Sequence, residues 1–125
     1  MILAAAATGA AAKDQPIRLD IAPGKVSEVC MPLDEGDTLR WRFKANAALD
    51  FNLHYHVDKQ VLMPVDRKAV AADSGEQSID RRNDWCLMWT APAKAKRVAV
   101  EGAWSVLPLR ARATNRSDSR SFEPR

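Results

Sequence analysis

The chain holds two histidines, His54 and His56, and they stand two residues apart. They lie in Asp50-Phe51-Asn52-Leu53-His54-Tyr55-His56-Val57, which alternates polar and apolar side chains without a fault. That period predicts a half-buried β-strand, with Phe51, Leu53, Tyr55 and Val57 on one face and Asn52, His54 and His56 on the other. Residues i and i+2 of a strand are roughly 6.6 Å apart, so two imidazoles leaning together can share a metal ion. H-x-H on a strand is a recurrent ligand spacing, but a third ligand has to come from elsewhere. Met88, Cys86, Met31 and Met63 are the candidates. A His/Cys/Met set suits copper(I), a soft ion, and His/Cys ligands also suit zinc. The alternative is a pair of solvated histidines on an outer sheet face.

The two cysteines are Cys30 and Cys86. An even count in an exported chain points to one disulfide. Such a bridge would join residues 86 − 30 = 56 apart, a loop whose closure is worth about 4 kcal/mol in chain-entropy terms. Each cysteine sits opposite the apolar set of its own strand. Directly opposed Cβ atoms on neighbouring strands are about 4.5–5.5 Å apart, close to disulfide range. Export itself is read from residues 1–12, which are small and apolar, with Ala10 and Ala12 satisfying an A-x-A cleavage rule. Residues 1–13 are therefore expected to be a signal-peptide remnant or disordered leader, and the mature protein periplasmic or secreted.

Arg40, Arg42 and Lys44 form a basic row on one strand face, a candidate surface for an acidic partner or a lipid headgroup; a solvated face is the alternative. No Gly-rich phosphate loop, G-x-S-x-G, H-E-x-x-H or C-x-x-C occurs. The expectation is a protein that is not an enzyme.

These residues need a scaffold. The chain has 125 residues, 46% apolar and 28% charged, the balance of one soluble domain with one core. The net charge of +3 lies in residues 110–125, where five arginines oppose two acids. The body is near neutral, so no nucleic-acid footprint is expected. No run of about eighteen apolar residues occurs, so no membrane span is expected. Alternating stretches at 16–21, 25–33, 38–44, 50–57, 61–65, 77–79, 84–89 and 97–106 predict strands separated by turns such as Pro23-Gly24 and Asp34-Glu35-Gly36-Asp37. Residues 45–49 are read as a link, and 66–83 as a mostly polar and charged stretch in which 77–79 is one weak strand. The pattern predicts an all-β fold, an antiparallel β-sandwich or jelly roll of about seven or eight strands over residues 14–108. Trp41, Trp85, Trp89 and Trp104 fall at inward positions and are expected to centre the core. Residues 109–125 are expected to form a disordered basic tail.

The order of Cys30, Gly36-Asp37, Leu39-Arg40-Trp41-Arg42-Phe43, Asp50-Phe51-Asn52-Leu53 and Trp85-Cys86-Leu87-Met88-Trp89 resembles the GOLD domain, a β-sandwich of Golgi-traffic cargo receptors. The resemblance covers residues 28 to 106. It implies a Cys30–Cys86 disulfide and a non-catalytic role in binding a protein or lipid. Thr90-Ala91 depart from the pattern, which usually has an Asn-containing turn there, and no transmembrane helix or coiled coil follows. The His-Tyr-His run is similar to one in small exported bacterial proteins. The sequence thus leads to an exported, non-catalytic binding module, with a periplasmic copper-binding protein using His54 and His56 as the alternative.

Overall fold

The computed structural model describes residues 13–94 and 96–109. Residues 1–12 of the expected leader and 110–125 of the expected tail lie outside that range. The described chain is all-β and antiparallel. Its strands are β1 (Gln15–Ile21), β2 (Val26–Leu33), β3 (Thr38–Val57), β4 (Gln60–Ser78), β5 (Asn83–Thr90) and β6 (Val98–Leu107). They form one sheet in the order β1-β6-β3-β5-β2, with β4 paired to β3.

The pattern predicts seven or eight strands in a sandwich; the described residues form six in a single curled sheet. The difference lies in β3 and β4. Odd-numbered side chains from Leu39 to Leu53 and Tyr55 turn inward, and Ala45, Ala47 and Leu49 keep the same parity as their larger neighbours. The presumed link at 45–49 is therefore strand. Likewise the polar stretch 66–76 is strand, because among the described strands β4 pairs with β3 alone and needs few apolar side chains.

Strand β3 changes partner along its length. Its first half pairs with β6 as far as Ala45↔Val100; its second half pairs with β5 from Asp50↔Thr90. Register shifts against β4 fall between Lys44 and Leu49, Leu49 and Phe51, and Leu53 and Tyr55. Bulges of this kind bend a strand and increase its twist. Ala69, in the second shift, has φ 52°, and its N–H donates to Asp50 Oδ1 at 2.9 Å. Pro64, which has no N–H to give, lies within the third.

The bend brings the two halves of β3 face to face. Phe43 of the first half packs on Phe51 of the second at 4.8 Å between ring centroids. Phe43 also meets Trp89 of β5 edge-on at 5.6 Å. Trp41, Trp85 and Trp89 are buried, as expected, whereas Trp104 is only partly buried at the core's margin. The Trp89 indole N–H has no hydrogen-bond partner among the described residues. The two ends of β3 return to one end of the molecule. There Gly36 N–H donates to Ile79 O at 2.8 Å and Asn83 Nδ2 to His56 O at 2.9 Å. Gly36 has φ 97°, a conformation that favours glycine.

Gly102 fixes how closely β6 crosses β3. A Cβ at this position would lie 2.0 Å from Arg42 O and 2.7 Å from Phe43 Cα. Both are backbone atoms of the central strand, so no side chain can swing aside. Gly102→Ala is expected to lower unfolding free energy by at least the roughly 1–3 kcal/mol typical of overpacking. Urea denaturation checks this; an unchanged midpoint would show that β3 and β6 are further apart.

Candidate functional site

The sequence places His54, Cys86 and Cys30 on three strands, and pairing aligns them. His54 of β3 lies opposite Cys86 of β5, which lies opposite Cys30 of β2. One step along, Asn52, Met88 and Glu28 form a second row. All six have the outward parity of their strands, so the site is built on the outer face of the sheet.

Cys30 and Cys86 are joined by a disulfide, with Cα atoms 4.0 Å apart. The shared parity is thus realised as a cross-strand bridge. Cys30 is exposed and Cys86 buried. The bridge and its neighbours cover His54, which is only 4% exposed although it leaves the outer face. His56 stays exposed, its ring edge-on to that of His54 at 5.4 Å. One histidine is therefore a buried polar group and the other a surface one.

Both nitrogens of His54 have neighbours. Nδ1 lies 2.7 Å from Asn52 Oδ1, and Nε2 lies 3.2 Å from Glu28 Oε2. With Asn52 Oδ1 toward the ring, the acceptor is the amide oxygen and the bond requires the proton on Nδ1. In that tautomer the contact between Nε2 and Glu28 becomes a hydrogen bond only when the ring takes up a second proton, so Glu28 favours the charged form. Burial holds the His54 pKa below its ordinary value of 6.5; the Glu28 carboxylate opposes this shift and His56 adds to it.

Met88 is partly buried between Asn52 and Glu28, in the row next to His54. For His54 to join His56 and Met88 on one ion, its ring must leave Asn52 or Glu28. Glu28 and Asn52 were invisible as site residues in the sequence. Each stands two residues before a singled-out residue, Cys30 or His54, and so shares its face. That signal becomes usable only once the strand register is known.

The basic row is interleaved with acids. Arg42 meets Asp14 at 3.2 Å and Arg40 meets Glu76 at 3.9 Å. Lys44 lies opposite Glu101 on β6. Arg42 and Lys44 line a shallow groove with Arg18, Glu101 and Gly102. At the other end of the sheet Val61 and Met63 are exposed on β4, with Val61 opposite His56. Arg81 lies over the Tyr55 ring at 5.6 Å, near the same end. Among the described residues no helix is long and apolar enough to cross a membrane.

No family model and no curated protein matches the chain. Among solved structures, the chain is similar in fold to PliG of Aeromonas hydrophila, a periplasmic inhibitor of g-type lysozyme. The TM-score is 0.57 at 11% identity, over 76% of this chain and 87% of that one.

The buried His54 gives stability a defined pH dependence. Its folded pKa is depressed, so the unfolded chain binds the proton more readily. This residue's contribution is intact above the unfolded value near 6.5 and is lost as pH falls from there toward the folded value. Between pH 7.5 and 5 the wild type is expected to lose more stability than His54→Gln, measured by urea midpoints. Equal losses would place His54 in solvent.

Proposed function

We propose that this chain is an exported, non-catalytic module that binds a protein and acts by occupying it, as an inhibitor does. The observation that carries the reading is the fold: the chain is similar to a periplasmic lysozyme inhibitor along most of that protein's length. The disulfide adds to it, because such bridges persist in oxidising compartments such as the periplasm. A GOLD-like module, which the sequence resembles, belongs to the same class of non-catalytic binder, with a protein or lipid ligand. Copper or zinc held by His54, His56 and Met88 is the competing reading.

The end of the sheet with the exposed Val61 and Met63, close to Arg81, has the composition of a binding surface. Methionine and arginine are enriched in protein interfaces, and exposed apolar side chains supply their contact area. The Arg40-Arg42-Lys44 row is a weaker docking surface, because nearby acids already offset its charge.

Lysis of bacterial cell walls by a g-type lysozyme, followed by turbidity, tests the reading. The protein is expected to slow lysis in proportion to its concentration and to co-elute with the enzyme. Val61→Asp with Met63→Asp is expected to weaken the complex about tenfold or more, as loss of a central contact does. Unchanged lysis with the protein in excess, and no co-elution, would overturn the lysozyme reading.

A further inference from the structure

We propose that reducing the Cys30–Cys86 disulfide opens a site for one zinc-class cation, held by Cys30 Sγ, Cys86 Sγ, His54 Nε2 and a Glu28 carboxylate oxygen. Three of these residues already converge: the ligand atoms of Glu28, His54 and Cys86 all lie within 4.8 Å of one another. Cys30 Sγ lies 3.8 Å from Glu28 Oε1. Zinc takes sulfur at about 2.3 Å and nitrogen or oxygen at about 2.0–2.2 Å in a tetrahedron, which sets its ligands roughly 3.3–3.8 Å apart. Small side-chain rotations reach that geometry with the strands in place.

Two further features fit a cation. The Nε2 lone pair of neutral His54 and the Glu28 carboxylate face each other at 3.2 Å, two acceptors with a place for positive charge between them. The other ring nitrogen donates to Asn52 Oδ1 at 2.7 Å. A metal-ligating histidine characteristically has such a partner, which fixes its tautomer and aims the ligating nitrogen.

The disulfide is the gate. While it is closed, neither sulfur is a thiolate, and only His54 and Glu28 remain as ligands. A dithiol reductant attacks the exposed Cys30 sulfur, the S–S bond breaks, and Cys86 leaves beside His54. A second thiol of the reductant then releases Cys30. The reductant becomes a disulfide, its two electrons and two protons pass to the cysteines as two thiols, and metal binding displaces the thiol protons to solvent. This set differs from the His54, His56 and Met88 combination, and it makes no use of the protein partner proposed above.

The test uses the whole chain, oxidised or reduced without oxygen at neutral pH, with zinc alone in competition with a chromophoric chelator. The reduced protein is expected to bind one zinc and the oxidised protein none at the same concentrations. Cobalt(II) in place of zinc should show thiolate charge-transfer bands in the reduced protein. His54→Gln and Glu28→Gln should each weaken binding more than tenfold, and Asn52→Ala about tenfold. Near-UV circular dichroism reports whether the tryptophan core is native. The proposal is overturned if the folded, reduced protein binds zinc no tighter than the oxidised one. It is equally overturned if neither His54→Gln nor Glu28→Gln alters the affinity. If reduction unfolds the chain, one equivalent of zinc must restore the native signal, and failure to do so also overturns it.

Discussion

The uninterrupted alternation of β3 is the constraint on which the rest of the molecule depends. A strand's side chains change face at every residue, so a slip of one position would turn its whole apolar set to solvent. Keeping that register through the bend allows one strand to line both opposing faces of the core. Leu39, Trp41 and Phe43 enter from one half, and Phe51, Leu53 and Tyr55 from the other. The same register gives β3 two sets of neighbours, β6 along its first half and β5 along its second. The bulges beside β4 take up the curvature, and Gly102 lets β6 approach at the crossing.

The outer face follows from that inner one. With Phe51, Leu53 and Tyr55 committed to the core, Asn52 and His54 must point outward, and pairing to β5 sets His54 against Cys86. The disulfide then ties β5 to β2 and brings Glu28 to the other side of the ring. A buried imidazole is costly unless its nitrogens are satisfied. Here Asn52 Oδ1 accepts from one nitrogen, while the Glu28 carboxylate faces the other and favours the charged ring, against burial, which disfavours it and prevails. The cluster is therefore sensitive to protons.

Much of this was legible in the sequence because period-two patterning reports which face a side chain takes. The inward set of β1, Ile17, Leu19 and Ile21, and the inward Met31 and Leu33 of β2 follow directly from it. So does the common outward face of Cys30, Cys86 and His54. The pattern fades in the middle of β3 because Ala45 and Ala47 keep the inward parity with little apolar surface, and the outward Ala48 blurs the contrast before Leu49 resumes it. In β4 the signal is weak for a different reason: among the described strands it pairs with β3 alone, and most of its polar residues from Asp66 to Ser74 face water, Asp73 excepted, which accepts from the Trp41 indole N–H. The burial of His54 could not be read locally. It arises from Glu28 and the disulfide, brought alongside by pairing between strands distant in sequence.

The tautomer of His54 most directly tests whether β3 sets this ring between Asn52 and Glu28. Nitrogen-15 chemical shifts of the oxidised protein at neutral pH distinguish a protonated ring nitrogen from a bare one. The expected result is a neutral His54 with its proton on Nδ1 and a bare Nε2 toward Glu28. A proton on Nε2 with Nδ1 bare would contradict the arrangement, and a charged ring at neutral pH would contradict the dominance of burial over Glu28.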